Sequence, residues 1–201
     1  MRAVISEHGH RFGTGVRRGA ASVTDWRTVQ GGGLRAVGVG GSLVGFPAQL
    51  ALVDAPHKDR EHADSKVMRG RVWKWWSSVL TSRLAPGASA CLIMTRWHPQ
   101  DLAGLLLNRE GRIEEGGRWR VLELPAFAVE GDPLGRAPGD PLPHPAIDEA
   151  DVAGARAHWE AQRAATVLPR DWASLYQCSP TAGEGALVPA SLLAERRVPF
   201  G

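Results

Sequence analysis

The chain has 201 residues, 43% of them hydrophobic, and a formal net charge of +3. That is enough to bury a core as one domain or one domain with an appendage, and it excludes a disordered chain. No apolar run approaches the length of a membrane span, and Met1 to His8 contains no apolar signal core, so a cytosolic protein with no membrane partner is expected.

The charge is mild for this length and points only weakly to nucleic acid. Only Lys58, Lys66 and Lys74 are lysines, so arginine dominates; its planar fork of donors suits phosphate. Cys91 and Cys178 lie far apart and in no CxxC pair, which supports neither zinc nor a disulfide framework. Cys91 opens an apolar run and reads as a small core residue.

In chain order, Met1 to Ala21 is polar with little periodicity. Asp25 to Val39 carries a hairpin signal, two strand-like runs around Gly31-Gly32-Gly33. Gln49 to Val53 reads as a buried strand stopped by Pro56. Glu61 to Arg83 reads as a helix, with Val67, Met68, Val72, Trp75, Trp76, Val79 and Leu80 at helical recurrence and Pro86-Gly87 ending it. Cys91 to Met94 is a second short buried strand. Pro99 and Asp101 suit the entry of a helix that runs on through Leu102 to Leu107. Trp119 to Leu124 alternates like a third strand and ends at Pro125. Gly131 to Pro145 is a proline-held crossing. Helices follow at Asp148 to Arg163, capped near Asp148, and at Asp171 to Gln177, with the loop Ser179 to Gly183 behind. The strand–helix–strand–helix–strand middle predicts an α/β fold with parallel strands.

Two segments carry candidate chemistry. Leu50-Ala51-Leu52-Val53-Asp54 is an apolar strand ending in a carboxylate, the place where nucleotide-hydrolysing α/β proteins hold a magnesium-bound water. Cys91 to Met94 ends similarly, in Thr95, Arg96, Trp97 and His98. If the two strands are neighbours, Asp54 and Thr95-Arg96 share the crevice where open α/β sheets bind ligands. Taken singly, each segment reads more simply as a strand entering a turn, and His98 as a helix-entry residue.

Other features favour plain readings. The run Gly38 to Gly45 has Leu43 where a dinucleotide fingerprint needs glycine. None of the three lysines precedes Ser or Thr, so none can complete a phosphate-binding loop. His8 and His10 sit in a polar terminus. Asp132 and Asp140 lie in the proline-rich crossing, while Asp148 and Asp151 suit a helix start. Trp75 and Trp76 fall on an apolar helical face and read as core.

In order, these pieces resemble the large terminase subunit of tailed phages. Trp26-Arg27-Thr28 with Gly31 to Gly41 resembles the segment before that family's ATPase acidic strand. Leu52 to Asp59, followed by Glu61 to Ser65, resembles the acidic strand itself. Cys91 to Gly104 resembles the ATPase coupling motif. Leu122 to Ala126, Asp132 to Arg136 with Pro138 to Leu142, and Leu175-Tyr176-Gln177 with Pro180 and Gly185 match further on. Six such matches in the right order are far more specific than any one.

The resemblance implies a DNA-packaging ATPase and nuclease working in the cytoplasm of a bacterial host. ATP and magnesium would be its cofactors. Double-stranded DNA, the small terminase subunit, the portal protein and other large-subunit copies would be its partners. It implies a partial P-loop-type ATPase sheet lacking the P-loop strand over 1–128, a Pro/Gly-rich linker over 129–147 and a helical lead-in to a nuclease over 148–201. The phosphate-loop strand is expected before Met1, central between the strands of Cys91–Met94 and Trp119–Leu124, and the nuclease after Gly201. Without that strand, a gap, direct pairing of its two neighbours or aggregation is expected. Asp54 would hold magnesium through water, Thr95 and Arg96 would sense nucleotide state, and His98 and Asp101 would shape the turn and cap the helix. Where the family carries a second acid, this chain has Ala55, and Cys178 stands where a second glutamine is frequent. The 201 residues are therefore expected to be inactive alone. Three other expectations stand beside this one: a non-enzymatic module docking on a separately encoded ATPase half, a basic DNA-binding protein, and a different α/β enzyme, against which only the motif order argues.

Overall fold

The computed structural model describes residues 2–43, 45 and 47–182; Gly183, Gly185 and the rest of the expected lead-in lie outside the described residues. The fold is mixed α/β, with two small sheets and flanking helices.

The first sheet is an antiparallel meander. Helix α1 (Arg2–His8) and a 3-10 turn lead into β1 (Val16–Ala21), which pairs with β2 (Asp25–Thr28), which pairs with β3 (Gly33–Arg35). The hairpin expected from the triple glycine is β2–β3, with Trp26 opposite Leu34. Gly33 is needed there, because a Cβ would stand 2.4 Å from the Trp26 carbonyl oxygen. α1 and β1 had no signal in the sequence: a short polar helix and an arginine-bearing strand show no clear period.

The second sheet is the parallel pair β4 (Ala48–Asp54) and β5 (Leu84–Ile93), joined through α2 (Arg60–Asp64), α3 (Lys66–Trp75), a π turn and a 3-10 turn. Leu50 stands opposite Ser89, Leu52 opposite Cys91 and Asp54 opposite Ile93. The core lies on one face of this pair, where Ala51 and Val53 meet Val72, Trp75, Trp76, Leu80, Leu102 and Leu106. Trp75 and Trp76 are buried, as their helical placement predicts, and Trp73 packs beside them under the Arg109 guanidinium.

Several expectations are corrected. The two strands are buried on one face only: Leu50, Leu52 and Ile93 keep 55%, 51% and 59% of their surface, and Cys91 is exposed beside Leu52 instead of lying in the core. The single helix expected over Glu61–Arg83 breaks at Ser65, whose backbone is extended. Asp59 caps α2 through the His62 amide, Ser65 caps α3 through the Met68 amide, and Arg69 donates to the carbonyls of Ala63 and Asp64 at the break. These bonds satisfy the orphan groups that a chain break exposes. Pro86 and Gly87 lie within β5 and do not terminate the helix, which ends at Arg83.

Trp119–Leu124 forms no strand. Its one ladder contact is an isolated bridge from Trp119 to Arg112. The Trp119 ring packs on Trp76, and its indole N–H donates to Glu110. Alternation marks a half-buried segment, but a strand also needs a neighbour to pair with. Neither a gap flanked by two strands nor direct pairing of β5 with this segment occurs among the described residues.

Helix α4 (Leu102–Glu110) starts where Pro99 and Asp101 place it. The segment expected as an extended crossing folds back instead. Asp140 and Ala126 accept from Ala128 and Leu142, and Asp132 forms an ion pair with Arg136, which also donates to the Pro125 carbonyl. Helix α5 (Val152–Ala165) is capped by Asp151 through the Gly154 amide, so the cap lies three residues beyond Asp148, which accepts from the Ala150 amide in the preceding turn. Helix α6 (Pro169–Leu175) closes the described chain.

Candidate functional site

Because β4 and β5 run parallel and in register, both finish at one edge of the sheet. Asp54 is the last residue of β4 and is exposed; Thr95 follows two residues after Ile93, its cross-strand partner. Among the described residues Asp54 makes no ion pair. The next residue, Ala55, donates its amide to the Ile93 carbonyl at 2.9 Å and has φ of 43°, a conformation that a residue with a Cβ rarely adopts. The chain therefore turns sharply away from the sheet immediately after the carboxylate.

The end of β5 is organised by Asp101, which is fully buried. Its carboxylate accepts from Arg96 Nε at 3.1 Å on both oxygens, from the Gly104 amide at 2.9 Å and from the His98 amide at 3.4 Å. Gly104 is obligatory at this turn, since a Cβ would overlap the Pro99 carbonyl oxygen at 1.8 Å. Arg96 thus connects the strand end to the N-terminus of α4. Thr95 is half-buried. His98 is buried and accepts from the Gln100 amide at 2.9 Å, and burial lowers its pKa. Asp101 caps and His98 shapes the turn, as the sequence suggests.

Sequence reasoning missed the residue beneath this turn. His57 is 2% exposed, and its Nε2 accepts the amide of Leu102, the first residue of α4, at 3.3 Å. Accepting there leaves the proton of the neutral ring on Nδ1, which lies 3.2 Å from His62 Nδ1 and donates to it. Burial pushes the His57 pKa from its ordinary 6.5 down to about 4. With both ring nitrogens engaged, His57 braces the turn after β4 against the start of α4. The sole signal in the sequence was the position of His57 after Pro56, where the chain leaves β4.

A second unforeseen constellation ties α6 to α2. Arg60 pairs with Asp171, and Arg170 pairs with Asp64. Arg60 also donates to the Arg170 carbonyl at 3.2 Å, and its guanidinium stands 5.2 Å from the Trp97 ring centroid. Helix α6 is therefore linked, through Arg60 and Trp97, to the loop that carries Arg96 and His98.

Among the described residues no group of three or more His, Cys, Asp or Glu side chains is placed to hold a metal ion. Asp54 is a lone exposed carboxylate with alanine beside it. Magnesium is usually bound by one or two carboxylates together with substrate phosphates, so Asp54 does not make a resident magnesium site by itself. Two clefts, of about 510 and 480 Å³, lie elsewhere, and neither is lined by Asp54, Thr95 or Arg96. No helix among the described residues is long and apolar enough to cross a membrane. Comparison with family models, with curated proteins and with solved structures gives no match. The terminase likeness therefore stands on the motifs and their order.

Proposed function

We propose that this chain is a portion of a tailed-phage terminase large subunit. It would carry the acidic strand and coupling segment of the packaging ATPase and the lead-in to the nuclease. One observation supports this above the others: the two segments singled out by their motifs are neighbouring parallel strands that end at one edge, Asp54 opposite Ile93. In this reading Asp54 faces the nucleotide's magnesium, with the phosphates themselves supplying the remaining ligands. Thr95 and Arg96 respond to the nucleotide, and the Arg96–Asp101 bonds carry that response into α4. ATP and magnesium are then the cofactors, and DNA, portal and small subunit the partners.

The 201 residues contain no Gly-Lys-Ser/Thr phosphate loop, and Ala55 cannot orient an attacking water. No ATP turnover is expected from them alone. The reading is tested by mixing the purified chain with a terminase polypeptide that supplies the phosphate loop and measuring phosphate release with magnesium and DNA. Turnover that appears only in the mixture, falls on Asp54→Ala and rises on Ala55→Glu supports it. Turnover by the chain alone, or a mixture indifferent to both substitutions, overturns it.

A non-enzymatic docking module is the second reading, favoured by the bare outer face of β4–β5. Parallel sheets are almost always covered on both faces, and here Leu50, Leu52 and Ile93 have no cover among the described residues.

A further inference from the structure

The cleft of about 510 Å³ is lined by α5, by α6 with Gln177 behind it, and by the fold-back at Phe127. Its volume falls within the range of small-molecule sites, about 300–1,000 Å³. Phe127, Trp172 and Gln177 form its deep side: Trp172 is 8% exposed and the other two are half-buried. The Gln177 side chain accepts from the Phe127 amide at 2.9 Å and donates to the Phe127 carbonyl at 3.2 Å, which pins the backbone beneath the Phe127 ring. The Phe127 and Trp172 ring centroids stand 6.1 Å apart at 44°, so the deep side is an aromatic corner.

The outer wall belongs to α5. Arg156, Glu160 and Arg163 are spaced i, i+4, i+7, so one helix face turns all three toward the cleft. Arg156 is already engaged: its guanidinium lies 6.0 Å from the Phe127 ring centroid and 3.8 Å from Asp140. Glu160 and Arg163 are exposed, and among the described residues their side chains make no hydrogen bond or ion pair. Two opposite charges, with Cβ atoms about 5–6 Å apart at this helical spacing, therefore stand without partners beside an aromatic corner.

We propose that this cleft binds a free aromatic α-amino acid. Arg163 takes the α-carboxylate through its forked donors. Glu160 takes the α-ammonium, and the ligand ring packs against Phe127 and the edge of Trp172. A ligand with one negative charge meets Glu160, and one with one positive charge meets Arg156 and Arg163, so each is repelled by part of the wall. A molecule that carries both charges on one carbon satisfies both side chains. A peptide end supplies only one of the two main-chain charges, so a free amino acid fits the set better than a chain. The inference rests on the cleft, its charges and its rings, and does not depend on the terminase reading.

The test is isothermal titration calorimetry of the full chain at neutral pH with three ligands: L-phenylalanine, hydrocinnamate, which lacks the ammonium, and phenethylamine, which lacks the carboxylate. L-phenylalanine should bind saturably, and loss of either charge should weaken binding about fivefold. Glu160→Gln should bind L-phenylalanine and hydrocinnamate equally while still discriminating against phenethylamine. Arg163→Gln should do the reverse. Both positions are exposed, so both variants should keep the native circular dichroism spectrum; if one does not, the three ligands on the unaltered chain still decide. No saturable binding at millimolar ligand, equal affinity for all three ligands, or variants that discriminate as the unaltered chain does each overturn the proposal.

Discussion

The His57 ring and the Leu102 amide are joined by a 3.3 Å hydrogen bond that fixes the turn after β4 to the first residue of α4. The bond requires an unprotonated Nε2. Protonation would turn that acceptor into a donor facing another donor, in a site where the ring is almost fully buried. The pKa of about 4 expresses this cost. An unfolded His57, with its ordinary 6.5, takes up a proton first as pH falls. Stability present above 6.5 is therefore lost between 6.5 and about 4, by on the order of 3 kcal/mol at most. Urea midpoints measured across that window should fall with pH, and His57→Gln should flatten the dependence. His98, also lowered, adds in the same direction, so part of the slope should survive. The carboxylates of Asp59, Asp64 and Asp132, held below their ordinary value by hydrogen bonds, act only at lower pH. An unchanged pH dependence in His57→Gln would remove His57 from this role.

The clasp between α2 and α6 predicts a measurable coupling between its two charges. Arg170 donates to both oxygens of Asp64, and the two side chains are 106 positions apart in sequence. The pair is partly exposed, so each single substitution, Asp64→Ala or Arg170→Ala, should cost about 1 kcal/mol or less. The double-mutant cycle should return a coupling of about 0.3–1 kcal/mol that weakens with salt. Zero coupling at low salt would mean that the Arg170–Asp64 pair does not hold the two helices together.

How much of this was legible beforehand follows from locality. β4, the end of β5 at Cys91–Ile93 and α4 could be read because each is an apolar run bounded by turn residues or by a cap, and Asp101 announces its own helix; the first seven residues of β5, Leu84–Ala90, could not, because Pro86 and Gly87 read as a stop. The shared edge of Asp54 and Thr95 then followed from the strand–helix–strand order. His57, the Arg60–Asp171 and Arg170–Asp64 pairs and the fold-back onto Ala126 and Ala128 join residues distant in sequence, and no local pattern encodes them. Trp119 to Leu124 shows the converse failure. Its alternation is real, with Trp119 facing Trp76, yet an alternating segment without a partner strand remains a loop.

Ala55 offers a test of backbone strain at the proposed site. Its φ of 43° places it in the left-handed region, which costs an L residue about 1–2 kcal/mol. Glycine avoids that cost and loses about 0.5–1 kcal/mol of chain entropy. Ala55→Gly should thus stabilise the fold by up to about 1 kcal/mol, read from chemical denaturation. A destabilised variant would show that the Ala55 methyl is packed in a way that outweighs the strain.

The two faces of β4 give the sharpest contrast. Leu52 and Val53 are adjacent and both apolar, but Leu52 is 51% exposed and Val53 is 4% exposed, in the core cluster that also holds Val72, Trp76 and Leu106. Leu52→Lys places a charge at a position already open to water, so folding stability should change by no more than about 0.5 kcal/mol. Val53→Lys buries an ammonium without a partner and should leave little folded protein, since total stability is typically about 5–15 kcal/mol and an unpaired buried charge consumes several of these. The open face has a second consequence. Leu50, Leu52 and Ile93 form an apolar patch beside unpaired strand edges, a combination that promotes association between chains. Leu52→Lys should therefore lower concentration-dependent self-association in sedimentation velocity while the melting midpoint holds. If Leu52→Lys unfolds the protein as Val53→Lys does, the outer face is covered in solution and the bare parallel pair is not the state the chain adopts.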